Sequence, residues 1–201
     1  MVKTTMIMLF LALVSWGANA QMDHAKMGNS GNSHSNMNSK MTEKATVASS
    51  IKVEHSLSVT AIIDNYLALK NALVDDNSKK AASSGKMLLD ALRKFDLSGQ
   101  PESKQKELKD ILDDAKENAE HISENGDKMD HQREHFEILG SDLKDLIFIT
   151  GADRTLYLIN CPTYNNNKGG KWLSESKEVK NPFLGSKMLK CGSIVQEITI
   201  K

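Results

Sequence analysis

The sequence predicts a mainly α protein: an up-down four-helix bundle with a small C-terminal β/loop appendage. Three observations carry that reading. Four successive segments between Ser58 and Gly151 repeat their apolar residues with a helical period. Short turn signals separate those segments, so neighbouring helices fold back on one another. After Gly151 the pattern changes to β-formers, Gly and Asn.

The chain has 201 residues, enough for one domain with appendages. Residues 1–20 read as a secretory signal peptide. Lys3 is its positive start, Met6 to Trp16 its short apolar stretch, and Ala18-Asn19-Ala20 its cleavage signal. No later apolar run is long enough to cross a membrane. Residues 21–52 are rich in Ser, Asn, Gly, Lys and Met and poor in large apolar groups. Such a segment cannot offset its ordering entropy by burial, so it reads as a disordered tail. The folded domain is placed at 53–201, with the appendage from about 152.

The first helix carries Val59, Ile62, Ile63, Tyr66, Leu67, Leu73 and Val74 on one side, with Ser58 as its expected cap. Asp75-Asp76-Asn77 reads as a turn and Ser78 as the next cap. Met87, Leu88, Leu92 and Phe95 form the second stripe. Ser98-Gly99-Gln100-Pro101 breaks the chain, since Pro fits only the first turn of a helix. Leu108, Ile111, Leu112, Ala115, Ala119 and Ile122 form the third stripe, closed by Asn125-Gly126. Met129, Phe136, Leu139, Leu143, Leu146 and Ile147 form the fourth, ending near Gly151. Thr155 to Ile159 and Ser193 to Ile200 read as strands, making a small hairpin that packs on the bundle.

Charge excludes some partners. The chain has 26 basic and 26 acidic residues, interleaved along the helices. That leaves no basic footprint for nucleic acid and no polybasic membrane patch. Gly-rich phosphate loops and nucleophile elbows are absent from the sequence, which points to binding and not to an enzyme.

Soft-metal ligands are the main chemical signal. The tail holds Met22, His24, Met27, His34, Met37 and Met41 within twenty residues. Thioethers suit Cu(I) and imidazoles suit copper in either oxidation state. Met normally fills cores, so its frequency in a polar segment is unusual. His131 and His135 lie four apart on the fourth helix and share a face. The intervening order is Gln-Arg-Glu, with Gln132 where a zinc protease places its Glu, so a protease is discounted. Cys161 and Cys191 leave two alternatives. As a disulfide they close a loop spanning 30 positions, worth about 3.5 kcal/mol in the chain-entropy model, and export favours that form. Kept reduced, they form a soft copper site with Met188 and a His.

Several motifs together resemble a known family. They are Asn65-Tyr-Leu-Ala-Leu-Lys-Asn-Ala-Leu73, His131-Gln-Arg-Glu-His135-Phe136 followed by Leu139, Cys161-Pro162, Trp172-Leu173, Asn181-Pro182-Phe183, Gly185, and Met188 with Cys191-Gly192. This ordered set, over about residues 58–192, is similar to the bacterial domain of unknown function three-three-four-seven. That domain occurs alone as an exported protein. It also occurs fused to the C-terminus of periplasmic adaptor proteins of copper and silver efflux. The resemblance implies a bundle-like periplasmic domain handling Cu(I) or Ag(I), with a heavy-metal efflux adaptor as partner. Carried over by position, the implied ligands are His135, Cys161, Met188 and Cys191, with His131 in addition. Family members often have Met after Cys-Pro, where this chain has Thr163.

The expected function is therefore an exported copper or soft-metal binding protein that buffers the ion or passes it to an efflux system. The alternative is a docking domain for an efflux adaptor, with Cys161 and Cys191 as a disulfide and no physiological metal site.

Overall fold

The structure, a computed structural model, describes residues 48–201. The expected signal peptide, and the candidate ligands Met22, His24, Met27, His34, Met37 and Met41, lie outside the described residues.

The protein is mainly helical with a small four-stranded sheet. Four long helices follow a short first strand: β1 is Ser49–Val53, α1 Thr60–Val74, α2 Ser78–Arg93, α3 Glu102–Glu124 and α4 Met129–Thr150. Then come β2 Leu156–Cys161, β3 Gly170–Ser174 and β4 Ser193–Ile200. Each long helix packs on the next in sequence, and β3 and β1 pack on α4. Among the described residues, no helix is long and apolar enough to cross a membrane.

The apolar stripes end up in one core. Leu69, Leu73, Leu88, Leu92, Leu108, Leu112, Ile122 and Leu139 are almost fully buried. Tyr66, Phe136 and Trp172 are the largest buried side chains. Tyr66 and Phe136 stack with centroids 5.0 Å apart, and Phe183 lies 5.9 Å from Phe136 and 5.7 Å from Trp172. The Leu173 amide donates to the Tyr66 hydroxyl at 3.2 Å, so a buried polar atom is satisfied. Gly140 lets α4 approach β3 closely, because a Cβ there would sit 3.2 Å from the Lys171 carbonyl and 3.3 Å from the Tyr66 hydroxyl.

The helix starts differ from the sequence reading by one or two residues. Asn77, not Ser78, caps α2: its side-chain oxygen accepts from the Lys80 amide at 2.9 Å. Both residue types cap well, so sequence alone does not choose between them. Ser58 does not cap α1, which begins at Thr60 without a side-chain cap. The Ser58 amide donates instead to the Ser56 hydroxyl at 3.3 Å. The C-terminal end of α4 falls at Gly151 as expected.

The β region is larger than a hairpin. Strand order is β1-β4-β2-β3. β2 runs antiparallel to β3 and to β4, and β1 runs parallel to β4 with Ser49 opposite Gln196 and Val53 opposite Ile200. β1 begins at Ser49 and ends at Val53, the residue where the sequence reading starts the folded domain. Ile51 and Val53 supply the apolar contacts of β1, and a strand of five residues leaves little periodicity to read.

Candidate metal-binding site

The short Asn125–Lys128 turn folds α4 back against α3, so the last turns of α3 lie beside the first turns of α4. His121 comes from α3; His131 and His135 come one turn apart from α4. All three are half-buried, and one potential ligand atom from each lies within 4.8 Å of the others. The His121 and His135 rings stack with centroids 4.4 Å apart. The His131 ring stands edge-on to His135 at 4.6 Å.

Electrostatics keep the central ring ready to bind. Burial, and then the charges His121 and His131 would carry, hold the His135 pKa below the ordinary imidazole value. A neutral ring keeps a lone pair for a metal. His135 Nδ1 donates to Asn118 Oδ1 at 2.9 Å. The amide orientation is fixed because Asn118 Nδ2 donates to the Asp114 carbonyl, also at 2.9 Å. Glu134 lies 3.6 Å from His131 Nδ1, and Glu117 lies 4.0 Å from His121 Nε2.

A tetrahedral ion with bonds of 2.0–2.1 Å holds its nitrogens about 3.4 Å apart. The potential ligand atoms of the triad, within 4.8 Å of one another, are in range of that arrangement. Three imidazoles suit zinc, copper, iron or nickel better than a hard ion such as calcium.

Among the described residues, the sequence-derived ligands divide between two places. His131 and His135 join the triad. Cys161 and Cys191 are joined as a disulfide with Cα atoms 5.5 Å apart, so neither is a free thiolate. The Thr163 hydroxyl lies 3.4 Å from Cys161 Sγ and 3.2 Å from Cys191 Sγ. Met188 is 47% exposed, and its carbonyl accepts from the Cys191 amide at 3.0 Å. Helix geometry explains why His135 does not reach this sulfur group. At 100° per residue, Arg133 and Glu137 point roughly opposite to His131 and His135. That opposite side of α4 meets the C-terminal segment.

The remaining motif residues are struts. Gln132, fully buried, donates to the carbonyls of Ser78 at 3.0 Å and Ile122 at 3.1 Å. Arg133, also buried, donates to the Pro182 carbonyl at 2.9 Å, to the Leu73 carbonyl at 3.1 Å, and to the Asp76 carboxylate. Asp76 also accepts from the Ser186 amide at 2.9 Å. The Ser186 hydrogen bonds, and then Arg133, hold Asp76 down to about 2. Asn181 accepts from the Phe183 and Leu184 amides at 2.8 and 3.0 Å and donates to the Cys191 carbonyl at 2.8 Å. A cleft of about 670 Å³ on this side is lined by Asp130, Arg133, Glu137, Tyr164, Phe183 and Lys187, and contains none of the three histidines.

Sequence reasoning missed His121. Its signal was position: it stands four residues before Asn125, and His131 stands three after Lys128. A helix folding back at that turn brings the two together. Without the packing, His121 reads as one more polar residue beside Ile122.

Comparison with known proteins gives one match. Residues 62–155 match the family described as Protein of unknown function (DUF3347). That stretch, from α1 to the residue before β2, belongs to the family. No curated protein matches, and no solved structure matches. The matched stretch contains all three histidines and ends before Cys161.

Proposed function

We propose, for a chain whose residues 62–155 belong to that family, that it is an exported, periplasmic metal-binding protein that handles copper without catalysing a reaction. The observation that carries this reading is the imidazole triad of His121, His131 and His135 on adjoining helices. Imidazole suits copper in both oxidation states. Met22, His24, Met27, His34, Met37 and Met41 in the preceding segment add soft ligands of the same preference. Export follows from the signal pattern of residues 1–20, and a periplasmic efflux adaptor is the partner the family resemblance suggests. The packing of each helix on its sequence neighbour supports an up-down order for the bundle that presents the triad.

The test is a copper titration of the mature chain against a competing chelator, in parallel with the His121→Gln/His131→Gln/His135→Gln triple variant. The expected result is one tight equivalent lost in the variant, with weaker binding retained by the tail. Equal tight binding by both proteins assigns the metal elsewhere.

The disulfide favours a second reading, in which the C-terminal region is a docking scaffold for an efflux adaptor. A chain that binds no copper tightly yet is retained by an immobilised adaptor supports that reading over the first.

A further inference from the structure

The donor atoms around the triad determine more than that a metal binds. We infer that the triad holds a divalent ion of borderline softness through three ring nitrogens and leaves a coordination position open to an outside ligand, with Asn118 as a positioning residue. This rests on the reading of the triad as a metal site.

The argument starts at Asn118. Its NH₂ group is committed to the Asp114 carbonyl, so its oxygen faces His135 Nδ1. That nitrogen must then carry the hydrogen, and Nε2 carries the lone pair. Ligating histidines are commonly held this way, by an acceptor on the nitrogen away from the metal. Carboxylates lie near the other two rings without hydrogen-bonding them: Glu134 is 3.6 Å from His131 Nδ1 and Glu117 is 4.0 Å from His121 Nε2.

Two carboxylates near the three rings favour a doubly charged ion over a singly charged one, because the attraction scales with the ion's charge. The all-nitrogen donor set selects borderline ions over hard ones. Among the described residues, no carboxylate or thiolate joins the three histidines as a fourth donor. The side chains of His121 and His131 are 45% and 38% exposed, so water reaches the site. Three protein ligands with a solvent-accessible fourth position is the arrangement of an open site and not of a closed structural one.

Co(II) is the probe, on the full mature chain. A four-coordinate Co(II) site absorbs strongly in the visible, whereas six-coordinate Co(II) on flexible side chains is pale. The expected result is one equivalent of intensely coloured Co(II), with bands that shift on adding azide. His131→Gln and His135→Gln each remove the band. Asn118→Leu weakens Co(II) about tenfold, while Asn118→Asp, which keeps an acceptor at that position, stays near wild type. Thermal unfolding confirms that each variant is folded. Bands indifferent to saturating azide overturn the open position and leave the metal site standing. Bands that survive both His substitutions overturn the metal site itself. An Asn118→Leu chain that binds like wild type overturns the positioning role.

Discussion

The imidazole face of α3 and α4 and the cystine corner beside β2 both gather metal-binding atoms, but they use them oppositely. On the helices, the ring nitrogens stay partly exposed, and neighbouring groups orient them without closing the site. At the corner, the two sulfurs are spent on each other, and Thr163, Asn181 and Pro182 tie the surrounding loops. The difference shows that ligand-type residues mark function only where packing leaves their donor atoms available. Where it does not, the same residues stabilise the fold.

The largest expected effect breaks the comparison at the corner. Replacing Cys161 and Cys191 with Ser costs about 3.5 kcal/mol of stability by loop entropy, read as a lower denaturant midpoint. Copper or Co(II) affinity at the triad stays unchanged; a loss there would join the two regions. Next, on the helices, His131→Gln with His135→Gln lowers triad affinity at least 100-fold, which is about 2.7 kcal/mol. The unfolding midpoint moves only slightly, because both side chains are partly exposed.

A smaller effect comes from pH. The folded Asp76 carboxyl is held below its ordinary value of 3.8, down to about 2. Its contribution is present above about pH 4 and lost as pH falls toward 2. The side chain is 37% exposed, so solvent screening limits the effect to about 1 kcal/mol. Asp76→Asn should flatten that acid limb in a stability-versus-pH series. An effect of similar size touches neither region: Asn77→Ala removes the α2 cap for about 1 kcal/mol, with metal binding as before.

The long elements were legible in the sequence because each buries a full stripe. Leu108, Leu112, Ala115, Ala119 and Ile122 need no tertiary context to read as a helix face. β4 was legible from Ser193 to Ile200 by its alternation. β1 was not, because five residues at the edge of a polar segment pair with a strand more than 140 positions away. Trp172 and Leu173 stood out as residues, but β3 did not, since glycines and charges surround it. In the candidate site, His131 and His135 were visible by spacing, whereas His121 depended on how α3 meets α4. The family motifs were visible too, but not their use: Gln132 ties α4 to α2 and α3, Arg133 holds the Pro182 loop to α4, and Asn181 joins the loop to Cys191, and that depends on carbonyls a sequence does not display.

The parallel pairing of β1 with β4 has a mechanical consequence. Ser49 enters at one end of the pair and Ile200 leaves at the other, with the Lys201 amide still donating to the Val53 carbonyl at 2.9 Å. Tension applied through the two strands therefore pulls along the ladder, loading its hydrogen bonds together instead of peeling them one by one. Force reaching the domain through its own chain meets a shear clamp first, and the helices behind that clamp are shielded until it yields.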